Sequence, residues 1–221
     1  MREVFKAELE AIADELVEMA SKVSVAMRSA TEALENNDLE LAEKVIDNDT
    51  EIDTMTHELD QRSAELLALQ APVAADLRVV ISALKMSVAI ERMGDLSRHI
   101  ASLVRIRHPQ AALPEGFRDV FMHMGEAAIR IGEEMEQLLD SPGLRGVPVI
   151  NAIDKELDQM HLQVFALIAD TGRGELSPSQ IADITLLSRY FERFGDQAVN
   201  VSQQVEYLLT GSWVPELSAK E

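Results

Sequence analysis

The chain has no cysteine, which excludes disulfides, thiolate metal centres and cysteine nucleophiles and fits a reducing compartment. Aromatic residues supply only 4% of a sequence that is 47% hydrophobic. Its core must therefore be aliphatic, built from Leu, Ile, Val, Ala and Met as in helical bundles. Long apolar runs are missing as well. The uncharged stretch 66–75 is interrupted by Pro72, and it and every other uncharged run are too short to cross a bilayer. The opening M-R-E-V-F-K-A-E-L-E carries acids where a signal peptide would be apolar. Basic residues are in deficit: 20 Lys and Arg stand against 39 Asp and Glu, a formal net charge of -19. A surface of that sign repels nucleic acid and anionic lipid. The expectation is a cytoplasmic protein with no nucleic-acid partner and no membrane insertion.

Period-two segments are also lacking, and helical periodicity runs through nearly all of the 221 residues. Six helices are expected, at 2–35, 38–69, 73–107, 115–140, 148–171 and 178–210. Asn36-Asn37-Asp38 ends the first and caps the second. Pro72 opens the third in its first turn and His108-Pro109 closes it. Leu113-Pro114-Glu115-Gly116 starts the fourth helix, and Ser141-Pro142-Gly143 stops it. Gly172-Arg173-Gly174 ends the fifth, and Ser177-Pro178 caps the sixth. After Gly211 the tail S-W-V-P-E-L-S-A-K-E is expected to be loosely held.

The first three helices and the last three repeat one another. E-R-M-G-D at 91–95 recurs as E-R-F-G-D at 192–196, an offset of 101. The same offset carries Met86, Ile90, Met93, Ile100 and Val104 onto Leu187, Phe191, Phe194, Val201 and Val205. These positions form one apolar stripe in both copies. At about 100° per residue, the paired acids point nearly opposite it. One helix earlier, an offset of 105 carries Asp49, Ile52, Asp53 and Met55 onto Asp154, Leu157, Asp158 and Met160. The expected fold is all-α, a tandem repeat of two three-helix bundles, with domains at 1–109 and 110–221. A single six-helix bundle is the rival arrangement, and short connections make neighbours antiparallel in either.

Each half thus holds two acid pairs at helical i, i+4 spacing: Asp49/Asp53 with Glu91/Asp95, and Asp154/Asp158 with Glu192/Asp196. Like charges at that spacing repel by a few tenths of a kcal/mol. The glycines between them, Gly94 and Gly195, cost about 1 kcal/mol each relative to Ala in mid-helix. Antiparallel neighbours would gather four carboxylates, a costly cluster unless solvated, protonated or bridged by cations. Oxygen donors favour Mg, Mn, Fe(II) or Ca over copper, and His161, one turn beyond Asp158, would admit zinc or iron. Two plainer readings stand beside this one. Arg92 and Arg193 would salt-bridge the acids, and the glycines would simply let two helices approach closely.

Other motifs are weaker. His57-Glu58 lacks the second histidine of a zinc-protease helix. His99, His108 and His123 show no ligand spacing and are expected to be surface or satisfied polar residues. Met19, Met27, Met86 and Met93 are expected to fill the core. A carboxylate-bridged di-metal enzyme would need Glu-x-x-His on two helices of one bundle. The nearest match is a single Asp158-x-x-His161. A metal-free helical scaffold is the remaining alternative.

The segments A-D-L-R-V-V-I-S-A-L-K-M-S-V-A-I-E-R-M-G-D-L-S-R-H-I (75–100), L-S-R-Y-F-E-R-F-G-D-Q-A-V-N-V (187–201) and V-I-D-N-D-T-E-I-D (45–53) resemble the PhoU family of phosphate-signalling regulators. The likeness covers nearly the whole chain. It implies a fold of two three-helix-bundle repeats. It also implies divalent metal ions (Fe, Mn, Mg or Zn) held by Asp49, Asp53, Glu91, Asp95, Asp154, Asp158, Glu192 and Asp196. The activity implied is negative regulation of the phosphate-starvation response, without catalysis. The partners implied are the ATPase subunit of a high-affinity phosphate ABC transporter, a phosphate-sensor histidine kinase and a second copy in a homodimer. His99 departs from the family, which has Asn there as at Asn200. The chain itself shows no basic pocket for an anion, so tight binding of free phosphate is not expected.

Overall fold

The computed structural model describes residues 2–172 and 174–212. Arg173 and the tail from Trp213 onward lie outside the described residues, and the expectation of a loosely held tail falls on them. Six helices follow one another: α1 (Arg2–Asn36), α2 (Leu39–Gln70), α3 (Ala75–Arg107), α4 (Arg118–Asp140), α5 (Gly146–Asp170) and α6 (Pro178–Thr210). The described residues contain no strand.

Local chemistry sets most of the boundaries. The Asp38 carboxylate accepts from the Leu41 backbone N–H at 3.0 Å and starts α2. Ser177 and Gln180 form a reciprocal capping box at the start of α6, with Pro178 in its first turn. Gly211 ends that helix in the left-handed region at φ 71°. Three starts differ from expectation. Ala74 takes φ 52°, so α3 begins at Ala75, past Pro72. Residues Glu115–Phe117 form a 3-10 turn before α4. Finally, α5 begins at Gly146 and takes Pro148 within its first turn, where a proline loses no hydrogen bond.

The helices make two three-helix bundles, α1–α3 and α4–α6, and the bundles share one core. In this arrangement α3 packs on α1, α2 and α6, while α1 also packs on α4; α2 and α5 each cover their own bundle. The repeated stripe is wholly buried, from Met86 and Ile90 in α3 to Val201 and Val205 in α6. Burying each large apolar side chain contributes roughly 1.5–3 kcal/mol. Met19, Met27 and Met93 are core filler as expected, beside the few aromatics, Phe121, Phe191 and Phe194. The bundles meet closely: a β-carbon on Gly125 of α4 would stand 2.3 Å from Thr31 Cγ2 of α1. Across the same junction Arg107 of α3 pairs with the buried Asp183 of α6.

Candidate functional site

The mid-helix glycines are seats for carboxylates of the neighbouring helix. In the first bundle α2 lays Asp49 and Ile52 across Gly94. A β-carbon there would lie 3.0 Å from Ile52 Cδ1 and 3.3 Å from Asp49 Oδ1. In the second, a β-carbon on Gly195 would lie 2.6 Å from Asp154 Oδ1 and 2.9 Å from Leu157 Cδ1. Asp49 with Ile52 and Asp154 with Leu157 are the pairs related by the sequence repeat. The close-approach reading of the glycines is therefore correct, and the group they admit is the acid itself.

Pointing opposite the stripe does not leave all of these acids in open solvent. The side of α3 opposite its stripe lies under α2, and the matching side of α6 lies under α5. Asp49 and Glu192 are consequently buried, at 7% and 8% exposure. Glu91, Asp95 and Asp154 are half-buried, while Asp53, Asp158 and Asp196 are exposed. Burial raises the Glu91 carboxyl above its ordinary range, and the charges of Asp95, Asp53 and Asp49 add to this. The Glu192 carboxyl is raised by burial and then by Asp196. Asp154 is pushed up to about 7, by burial first and then by Asp158, Asp196 and Glu192. Each set of four acids is thus one electrostatic cluster. Among the described residues, no three acidic or histidine side chains converge to ligand geometry.

The arginines at the clusters are not those the motif suggested. Ion pairs with the acids are made by Arg98 and Arg189 rather than by Arg92 and Arg193. Arg98 Nε lies 2.5 Å from Asp49 Oδ2 on α2, and its Nη2 pairs with Asp95 on its own helix. These bonds offset part of the burial effect on Asp49, whose carboxyl still lies above its ordinary range. Arg189 pairs with Glu192 from one turn earlier. Both arginines stand three residues from an acid, a spacing at which helical side chains meet and which could have identified them. At the repeat offset of 101, Arg98 matches Val199 and Arg189 matches Val88. In the second cluster Asp154 Oδ1 and Glu192 Oε2 are buried without a hydrogen-bond partner.

The histidines divide. His161 Nδ1 lies 3.0 Å from Ser188 Oγ, and its ring meets Phe165 edge-on at 5.0 Å. Burial and the Arg189 charge hold its pKa below the ordinary histidine value. His108 and His123 are exposed. His99 is half-buried: it stacks on Tyr190 at 5.2 Å and joins α3 to α6. Its Nδ1 is buried with no hydrogen-bond partner, so the expectation of a satisfied polar residue fails there.

Fold and clusters together define an all-helical tandem-repeat protein with one glycine-seated acid cluster per repeat. The PhoU domain matches it twice, at residues 16–104 and 121–205, and the chain belongs to the PhoU family. It is 38% identical over 213 residues to the phosphate-specific transport system accessory protein PhoU homolog 2 of Mycobacterium tuberculosis, covering 96% of this chain and 100% of that one. Against PhoU homolog 1 of Mycobacterium leprae it is 37% identical, with 96% of each chain covered. Among solved structures it resembles PhoU from Pseudomonas aeruginosa, with TM-score 0.85, 26% identity and coverage of 94% and 100%. The phosphate transport system regulatory protein PhoU from Streptococcus pneumoniae aligns with TM-score 0.83 and 26% identity, over 96% of this chain and 99% of that one. These relatives are named as accessory or regulatory proteins, not as enzymes.

Proposed function

We propose that the protein is a non-catalytic negative regulator of the phosphate-starvation response. In this reading it couples a high-affinity phosphate ABC transporter, through its ATPase subunit, to a phosphate-sensor histidine kinase and modulates uptake. It would act in the cytoplasm as a homodimer. The observation that carries the reading is likeness to a phosphate-specific transport system accessory protein over 96% of the chain, with the PhoU domain matched in both repeats. No described helix is long and apolar enough to cross a membrane, so contact with a transporter would run through its cytoplasmic parts. The di-metal enzyme reading is less favoured because it needs Glu-x-x-His on two helices of one bundle, and the chain offers a single Asp158-x-x-His161.

The family implies a bound cation, and the second cluster has the donor chemistry for one, although its side chains do not converge to ligand geometry as they stand. Asp154, Asp158, Glu192 and Asp196 offer only oxygen donors, two of whose oxygens are buried and unpartnered; such a set favours hard divalent ions. A bound ion would neutralise these carboxylates and tie α5 to α6. The residues themselves supply the framework: Gly195 admits Asp154, and Arg189 holds Glu192 from outside.

The test has two arms. Purified full-length protein is titrated against the cytoplasmic portion of the kinase and against the transporter ATPase, and a deletion strain is assayed for phosphate-gene repression. Binding to at least one partner with derepression of the genes is expected. No binding to either, with repression intact, overturns the reading.

A further inference from the structure

The two clusters have the same four acids and opposite internal chemistry. In the first, a guanidinium already lies between the helices: Arg98 Nε is 2.5 Å from Asp49 Oδ2, and Nη2 pairs with Asp95 Oδ1. One cation therefore bridges the α2 carboxylate to the α3 carboxylate, with both ends charge-assisted. The repeat places Val199 at the matching position of α6, a side chain that can neutralise nothing. Arg189, the arginine of the second cluster, is half-exposed and reaches one oxygen of Glu192 alone. The other oxygen, Glu192 Oε2, and Asp154 Oδ1 stay buried without a partner, on a glutamate that is 8% exposed. Buried carboxylate oxygens left unpaired are costly, and proteins keep them where a ligand completes them.

We propose that Arg98 is the built-in cation of the first repeat, so that the first repeat does not take a divalent ion and cation binding in this chain is confined to the second. The inference rests on the cation reading above but concerns a different residue. A tethered guanidinium occupies the gap at the high effective concentration of an intramolecular ligand. An incoming dication would have to displace it and would be repelled by it. Arg98 thereby links the acids of α2 and α3 permanently, whereas Asp154 of α5 and Glu192 of α6 would be linked through a bound ion. The acid cluster of one half is constitutively bridged and that of the other is ion-dependent.

The experiment uses untagged full-length protein and manganese as the probe, read by equilibrium dialysis with metal analysis and by thermal melting. Glu91→Gln with Asp53→Asn in the first cluster should leave manganese uptake unchanged. Asp158→Asn with Asp196→Asn in the second should weaken it by about tenfold or more and remove the rise in Tm on adding the ion. Arg98→Val, which gives the first repeat the residue type of the second, should raise the manganese bound per chain, and Glu91→Gln should cancel the increase. If wild-type uptake falls equally with acids of either cluster, the present inference is wrong while the cation reading stands. If neither wild type nor Arg98→Val takes up manganese, both are wrong. Should Arg98→Val fail to fold, the wild-type comparison of the two acid pairs still decides.

Discussion

Gly195 has no room for a β-carbon because Asp154 is already there: the carbon would stand 2.6 Å from Asp154 Oδ1 and 2.9 Å from Leu157 Cδ1. Replacing Gly195 with Ala returns about 1 kcal/mol of helix propensity. It also forces α5 outward or Asp154 off its rotamer, at roughly 1–3 kcal/mol. The expected net result is a destabilisation on the order of 1 kcal/mol, visible as a lower urea midpoint. Gly94→Ala meets Ile52 Cδ1 at 3.0 Å and Asp49 Oδ1 at 3.3 Å, so a smaller shift suffices and its midpoint should change less. Equal losses at the two sites would contradict the seating described here.

Stability of the chelated protein should depend on Asp154. Its folded pKa lies at about 7, against an ordinary value of 3.8, so between those values the folded state binds more protons than the unfolded state. By linkage, stability then falls as pH rises from 3.8 to about 7 and levels off above it. Asp154→Asn removes this slope. In EDTA, the variant's melting temperature should lose less than that of wild type between pH 5 and pH 8, a window of roughly physiological histidine range. Parallel pH profiles for the two proteins would refute the assignment.

Arg107 and Asp183 tie the bundles together through two hydrogen bonds, Nε to Oδ2 at 2.7 Å and Nη2 to Oδ1 at 2.9 Å. Asp183 is buried at 5% exposure while the Arg107 side chain is 35% exposed. The partners are therefore not equivalent. Arg107→Met strands a buried carboxylate, whereas Asp183→Asn leaves a guanidinium that water can reach. Arg107→Met should lower the melting temperature more than Asp183→Asn does. The reverse order would mean that the asymmetry of burial does not govern the pair.

The helices and the repeat were legible because their causes are local. Asp38, Ser177 with Gln180, and Gly211 act within one turn, and the stripe from Met86 to Val104 follows from period alone. What was not legible depends on which helices touch. The acids of α3 and α6 point opposite the stripe, yet α2 and α5 cover that side too, so Glu192 is buried and Glu91 and Asp95 are half-buried. His99 showed no ligand spacing, but its environment is Tyr190, distant in sequence. Arg98 stands three residues past Asp95, within the i, i+3 rule, but its second partner, Asp49, lies on another helix and follows from packing alone. The left-handed backbone at Ala74 has no sequence signal, since alanine does not favour it.

Phosphate itself should bind weakly or not at all. The chain carries a formal net charge of -19, and a surface of that sign disfavours a free anion. The cleft between α3 and α6 holds Arg92 and Arg193, but Glu91 and Asp95 line it with them and cancel the attraction. A cation held at the second cluster would invert this local field and give a phosphate oxygen something to meet. Calorimetry with phosphate on chelated and on manganese-loaded protein separates the cases, and no micromolar binding is expected in either. Heat from the chelated protein would place an anion site on the chain itself. Heat from the loaded form alone, abolished by Asp158→Asn with Asp196→Asn, would make the second cluster a phosphate sensor rather than a structural clamp. With neither, the proposed regulatory role would require that phosphate be sensed elsewhere and relayed through a partner's conformational state.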